Sequence, residues 1–529
     1  MSAFVFRSGQ APGRAVSVVG ALLLLRVGTI ATAQGFNSDD LELTSKLHEQ
    51  QAEHLDQAEL TALITAGDKK AAFELAFEHG DELFETIFNA LDGVGAYVGK
   101  GLRFTRMPRA DLKGTGEWAT HKPSRSTGPN AQSCNDCHRI PSDDGAGLVS
   151  SNVVRDPFHG GAPGQTIQRN TPHLFGAGAL QRLAEEMTEV LQAARLSAGA
   201  EACSSGQTVT RKLVVKGIGF GVIKATPKGA PCKPTFDVSG VVGVASDLVV
   251  RPYQWKGSVA FLRDFNRDAS HNELGLQPIE LVGENVDGDH DGIVDEMTVG
   301  DQTALAVYLA SQPRPTTKTE LASLGLVDPI PATEATAIST GRKLFESIKC
   351  SSCHSPSLLI DNPVFSEPSQ NPNYCDKVFP SGQAPKPLGV DPAVPVTMDL
   401  TRDQPDNVIE DSSGRVVFRL GSFERDSRGR AIVRLYGDLR RHYMGRDLAE
   451  SIDEVKTGAS TFLTENLWGV GSTAPYLHDG RATTLTEAIL AHGGEASNAK
   501  LAFVSLPVDS QKAIVSFLED MILFRLPEE

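Results

Sequence analysis

Apolar positions along residues 38–92 fall three and four apart. Leu60, Leu63 and Ile64 form one group, and Phe73, Phe77, Phe84, Ile87, Phe88 and Leu91 a second, with charged residues between them. That spacing predicts amphipathic helices. Residues 93–101 break the pattern, and residues 107–130 are polar and rich in Pro and Gly, which predicts loop. Residues 182–196 are amphipathic again. Residues 208–224 change period: Val209, Leu213, Val215, Ile218, Phe220 and Val222 sit among Gly and Thr, which predicts a β-hairpin, with residues 236–250 as candidates for further strands. Helices are predicted at 301–311, 337–348 and 509–523. Residues 356–407 are Pro-rich and read as irregular. Residues 415–420 and 431–435 alternate and predict a pair of strands. The Pro/Thr/Lys stretch 313–320 reads as a linker between two domains. The pattern is that of a mainly α protein with long loops and a small inserted β element.

Two short motifs give this pattern its chemistry. Cys134-Asn135-Asp136-Cys137-His138 recurs as Cys350-Ser351-Ser352-Cys353-His354. C-x-x-C-H is the attachment site of a c-type haem: two thiols reach the porphyrin vinyl groups, and the adjacent His falls under the iron. A zinc ribbon would use four thiolates and give the His no role. A redox dithiol normally sits once, in a thioredoxin-like βαβ pattern that is not evident here. Two copies, one on each side of residues 313–320, predict one covalent haem c per domain.

Composition narrows the setting. The formal charge of the 529-residue chain is −16. Residues 1–33 read as a secretory signal: Arg7 and Arg14, an apolar core at 15–25, and Ala31-Thr32-Ala33 before Gln34. That segment holds three arginines and no acid, so its removal takes the charge from −16 to −19. Nucleic acid and anionic membrane are poor partners for such a chain, and a small basic redox protein is a better one. No later segment is long and apolar enough for a span, so a periplasmic or secreted protein with no membrane span in the mature chain is expected. Four of the seven cysteines belong to the haem motifs, leaving Cys203, Cys232 and Cys375. An oxidising compartment favours a bridge. Cys203–Cys232, which closes a local loop around the hairpin, is the preferred pair, although Cys375 could replace either member.

Asp287-Gly288-Asp289-His290-Asp291-Gly292, followed by Asp295, resembles the start of a calcium loop. Carboxylates at positions 1, 3 and 5 converge on one hard cation, and Gly at position 6 makes the turn. Position 12 is Thr298 rather than Glu, so this is not a complete EF-hand.

The stretch Asn466-Leu467-Trp468, Thr473-Ala474-Pro475-Tyr476-Leu477-His478-Asp479-Gly480-Arg481 and His492-Gly493-Gly494 resembles the C-terminal signature of the di-haem oxidoreductases. That family is related to the bacterial di-haem cytochrome c peroxidases and to the tryptophylquinone-forming di-haem enzyme of methylamine metabolism. The resemblance extends over most of the chain from about Phe73. It implies two cytochrome c-like haem domains, the N-terminal one within residues 34–312 and the C-terminal one within 321–529. It also implies His492 as the second axial ligand of the C-terminal haem opposite His354, and an inter-haem calcium held by Asn170, Thr473 and the carbonyl of Pro475. Trp255 matches the residue that bridges the haems. In the distal pocket of a peroxidatic N-terminal haem, Glu273 matches the general base, with Arg263 ten residues before it and His271 a second candidate base. The sixth ligand of that haem is open between His159, His173 and none. The implied activity is reduction of peroxide or a similar small oxidant, with electrons from a small redox protein or a quinol-linked donor, a peroxidase-like reaction (EC 1.11.1). The alternatives are a di-haem electron carrier and an oxidase of a protein or organic substrate.

Overall fold

The computed structural model describes residues 51–94, 129–155, 167–288 and 292–527. The secretory segment 1–33, His159, and the carboxylates of Asp289 and Asp291 lie outside the described residues.

Within the part of 38–92 that is described, the expected helical pattern forms α1 (Gln57–Thr65) and α2 (Lys69–Glu85). Each starts on a side-chain cap: Asp56 accepts from the Ala58 N–H and Asp68 from the Ala71 N–H, which satisfies donors that have no partner inside the helix. The 29-residue helix α3 (Ala177–Ser205) runs well beyond the predicted 182–196, and α4 spans Leu262–Ala269. The next long helix, α5 (Val299–Ala310), is buried along its whole length, and its polar residues Asp301 and Thr303 are hydrogen-bonded there, Asp301 accepting from the Leu55 N–H and Thr303 donating to the Gln57 side chain. Thr298 caps it. Its hydroxyl accepts from the Asp301 N–H while the Asp301 carboxylate accepts from the Thr298 N–H. α6 (Ala332–Ser347), α7 (Leu485–Ala491) and α8 (Val508–Asp520) build the C-terminal part.

Two glycines set the helix crossings. A Cβ on Gly80 of α2 would lie 2.4 Å from the Ala304 carbonyl oxygen of α5, and one on Gly341 of α6 would lie 1.8 Å from that of Ala513 in α8. Both pairs therefore pack backbone to backbone, and a side chain at either glycine would force them apart.

Strand is not confined to one insert. Among the described residues there are seven small sheets, so the architecture is mixed rather than mainly α. The predicted hairpin is present as Val209–Val215 and Ile218–Thr226, with Thr235–Asp237 as a third strand. Of residues 236–250, only that strand's end and a bridge at Val241 are strand-like. Cys203 and Cys232 form the disulfide across this element, and Cys375 is a free thiol. The two alternating segments 415–420 and 431–435 do form strands, but not with each other. Val416–Arg419 pairs with Val408–Glu410, and Ala431–Val433 pairs with Leu358–Ile360. The reason is burial: Ala431, Val433, Leu358 and Ile360 all enter the core, whereas Val416–Arg419 buries no side chain. The Pro-rich stretch 356–407 also contains a paired hairpin, Val364–Glu367 with Val396–Asp399.

The stretch 313–320 is built into the protein rather than solvated. Arg314 and Thr316 are buried, Thr316–Thr317 pairs with Met521–Ile522, and Arg314 donates to the Ser422 carbonyl at 2.9 Å. The largest apolar core contains Phe84, Cys137 and Leu183 together with Phe365, Leu435 and Trp468, so it draws on both sides of that stretch. A second core, around Phe345, Tyr436, Phe503 and Phe517, lies against the second C-x-x-C-H motif.

Candidate haem centres and the cavity between them

Both C-x-x-C-H segments fold into the same turn. The Cys134 carbonyl accepts from the Cys137 and His138 N–H groups at 3.1 and 3.0 Å, and the Cys350 carbonyl accepts from those of Cys353 and His354 at 3.3 and 3.0 Å. Each turn gathers its two thiols and presents its imidazole. The Nδ1 of His138 meets the Gly145 carbonyl at 3.2 Å, and that of His354 meets the Tyr436 carbonyl at 3.1 Å. A ring whose Nδ1–H is held by a carbonyl offers a lone pair on Nε2, the tautomer and orientation a metal ligand needs. Burial pushes both imidazoles down to about 4, so each is neutral at physiological pH. Burial pushes Cys134 up to about 12 and Cys350 up to about 11, toward the neutral thiol.

His492 closes helix α7. A capping box between Thr484 and Glu487 fixes the start of that helix, and at its end the His492 Nδ1 meets the Ala488 carbonyl at 2.7 Å. The His492 ring centre is 6.4 Å from that of His354. An imidazole nitrogen binds a transition metal at about 2.0–2.1 Å, which puts the ring centres of two imidazoles on opposite sides of one metal roughly 6 Å apart. The donor set and its spacing therefore fit one iron held between the two rings. Both rings line a cavity of about 440 Å³ together with Cys350, Cys353 and apolar side chains including Phe345, Ile489, Phe503 and Leu518.

The same cavity reaches the N-terminal segment. Asn170, Thr171, Pro172, His173 and Trp255 also line it. Trp255 is fixed there by its indole N–H, which donates to the Asn170 carbonyl at 2.9 Å, while its own carbonyl accepts from the Leu463 N–H. Asn170, Thr473 and Pro475 all line this cavity. The Asn170 N–H donates to the His478 carbonyl, and the Thr473 hydroxyl donates to the Gly469 carbonyl. Their oxygens are of the kind calcium takes. In the Asp-rich loop, the described carboxylates serve the backbone: Asp287 accepts from the Gly292 N–H and Asp295 from the Asn285 N–H.

His173 lies on the cavity wall with its Nε2 on the Trp468 carbonyl at 2.9 Å and its Nδ1 buried without a partner. Glu273 stands beside the first motif. Its carboxylate accepts from the Asn130 side chain at 2.8 Å, and its carbonyl accepts from the Asn130 and Ala131 N–H groups. The Nδ1 of His271 meets the Leu276 carbonyl at 3.2 Å. Arg263 has a different place from the one expected. It is fully buried and enclosed by Glu280, Glu367, Thr303 and the Val299 carbonyl, which take all five of its N–H donors. No donor remains for a peroxide oxygen, so Arg263 is a structural cation and not a distal one.

Sequence reasoning missed the support beneath the first centre. Phe84 packs at 6.0 Å from His138 and 5.4 Å from Tyr308, whose hydroxyl donates to the buried carboxylate of Asp144 at 2.8 Å. Arg525 pairs with that same carboxylate. No local pattern joins residues so distant in the chain. Covalent attachment has a direct check. The intact mass of unfolded protein should carry two haem additions, and Cys134→Ala or Cys353→Ala should weaken one attachment each; an unmodified mass would refute both centres.

Residues 427–521 match the family model described as "Di-haem oxidoreductase, putative peroxidase". Curated proteins give no match. Among solved structures, the crystal structure of a MauG-like protein associated with microbial copper homeostasis is similar at 14% identity, covering 55% of this chain and 77% of that one, with a TM-score of 0.27. A score that low carries neither fold nor function. Among the described residues no helix is long and apolar enough to cross a membrane.

Proposed function

We propose that this chain, whose residues 427–521 match the di-haem oxidoreductase family model, is an exported two-centre enzyme that reduces peroxide or a similar small oxidant. The observation that carries this reading is the His354–His492 pair in a cavity that Trp255 and the Asn170–His173 segment also line. Haem iron, when bound, supplies one-electron transfer and peroxide chemistry. The residues divide the remaining work. His354 and His492, both neutral and both held by backbone carbonyls, would saturate the C-terminal centre and suit it to electron transfer alone. Trp255, which lines the cavity of the C-terminal centre and is bonded to Asn170, would serve as the aromatic relay for an electron passing between the centres.

Glu273, beside the N-terminal motif, is the proposed general base. It takes the first proton from peroxide and returns it to the departing oxygen. Two electrons and two protons convert one peroxide to two waters, and the electrons come from a small basic redox protein or a quinol-linked donor. Calcium held by Asn170, Thr473 and Pro475 would brace the wall between the centres.

The test is an optical and EPR spectrum of oxidised and half-reduced protein, with and without peroxide. Two distinct signals are expected, one low-spin and unaffected by peroxide, the other altered by it. His492→Met should move the low-spin signal and raise its potential, because a thioether replaces an imidazole. Two low-spin signals indifferent to peroxide would make the protein an electron carrier.

A further inference from the structure

One acidic side chain on the cavity wall has no partner. Glu465 follows strand Thr461–Leu463, and its backbone is pinned on both sides: Thr464 bonds to the Arg440 carbonyl through its N–H and its hydroxyl, and the Leu467 N–H donates to the Leu435 carbonyl. The Glu465 side chain presents its surface to the cavity that His354 and His492 also line. Its carboxylate forms no hydrogen bond and no ion pair among the described residues.

None of the other titratable groups of that cavity pairs with Glu465. The Nδ1 atoms of His354 and His492 are on carbonyls, and His173 is on the Trp468 carbonyl. His442 is held between Asp438 at 2.9 Å and Glu495 at 2.8 Å, which accounts for Glu495 too, and Arg440 is 3.9 Å from Glu495. His478 stacks on Phe462 and faces Glu450 and Asp479. Tyr476, Lys349 and Lys500 line the cavity without an ion pair to Glu465.

An uncompensated carboxylate in the same cavity as an electron-accepting centre has a definite consequence. Each electron adds negative charge to a space of low dielectric, where like charges repel strongly. Protonation of the carboxylate removes that repulsion. We propose that Glu465 is a redox-linked proton site, which binds one proton when the centre between His354 and His492 gains an electron and releases it when the electron leaves. In balance, oxidised centre, electron, carboxylate and proton become reduced centre and carboxylic acid. The electron is the one delivered by the donor of the proposed function, on which this inference rests. Burial already pushes Glu465 up to about 7, so both of its forms are accessible near neutral pH.

The experiment is an equilibrium redox titration of the holoprotein at a series of pH values, on the parent, E465Q and E465D, with the C-terminal wave identified as the one that His492→Met moves. In the parent, that wave should fall in potential as pH rises through neutrality. One proton per electron is a tenfold change in equilibrium per pH unit, or about 59 mV. E465Q should lose the slope and stay at the parent's low-pH potential, since the neutral amide mimics the protonated acid. E465D should keep a slope. A parent wave with no slope, or a slope that survives in E465Q, overturns the proposal; in the second case His442 becomes the proton site. If no wave responds to His492→Met, the ligation reading has failed and this inference falls with it, whereas a responding wave whose slope is indifferent to E465Q sinks this inference alone.

Discussion

Arg263→Met is expected to lower the stability of the folded protein by about 3–5 kcal/mol, the usual cost of removing one partner from a buried ion pair. Arg263 is the only cation in contact with Glu367 among the ion pairs described, and it shares Glu280 with Arg267. Methionine fills much of the same volume, so the loss comes from stranded charge rather than from a void. The pH dependence identifies the cause. Burial, partly offset by Arg263, holds Glu367 up at about 7. The folded state therefore binds this proton more tightly than the unfolded chain does, and stability declines as pH rises from the ordinary carboxyl range to that value. Without Arg263 the Glu367 value rises further and the decline extends to higher pH. Urea unfolding of parent and variant near pH 5 and pH 8 should thus give a larger deficit at pH 8. Equal midpoints at both pH values would show that Arg263 is not the cation that holds this network.

The second large effect concerns rate. Glu273→Gln should leave both haem spectra and the fold unchanged and slow the reaction with peroxide by at least about a hundredfold, within the range that a lost general base usually produces. Gln retains the hydrogen-bond length and one acceptor, so the contact with Asn130 survives while the proton acceptor is lost. The rate constant comes from stopped-flow mixing of peroxide with half-reduced protein. An unchanged rate would end the assignment and make His271 the candidate, whose Nδ1 on the Leu276 carbonyl leaves Nε2 as the basic nitrogen.

The contrast between these two residues marks how far the sequence could be read. Both were chosen by their positions in a family pattern. A linear offset does not say which way a side chain faces, and Arg263 turns inward because Glu280 and Glu367, 17 and 104 residues further on, converge on it. Local chemistry was legible: each C-x-x-C-H turn, the Cys203–Cys232 loop and the hairpin between its ends depend on neighbours in the chain. His492 was found through the signature rather than through its own surroundings. Strand partners were not legible, because alternation identifies a strand while burial of distant residues selects its mate, as Ala431–Val433 and Leu358–Ile360 show. Glu465 gave no signal at all. It stands in an ordinary polar run, and only the enclosing cavity makes its charge unusual.

The pairing of Arg525 with Asp144 bears on how the molecule is made. Asp144 precedes Gly145, whose carbonyl holds His138, and its carboxylate is buried beneath that turn. Its cation lies 381 positions further along the chain. During synthesis, Cys134, Cys137 and His138 emerge long before Arg525 exists, and domains ordinarily begin to fold in that order. Until Arg525 arrives, Asp144 stays hydrated or protonated and the turn beneath His138 is not clamped. Met521 and Ile522, which pair with Thr317 and Thr316, arrive equally late. Loss of Arg525 would therefore leave the buried Asp144 carboxylate beneath His138 with the Tyr308 hydroxyl but without its cation.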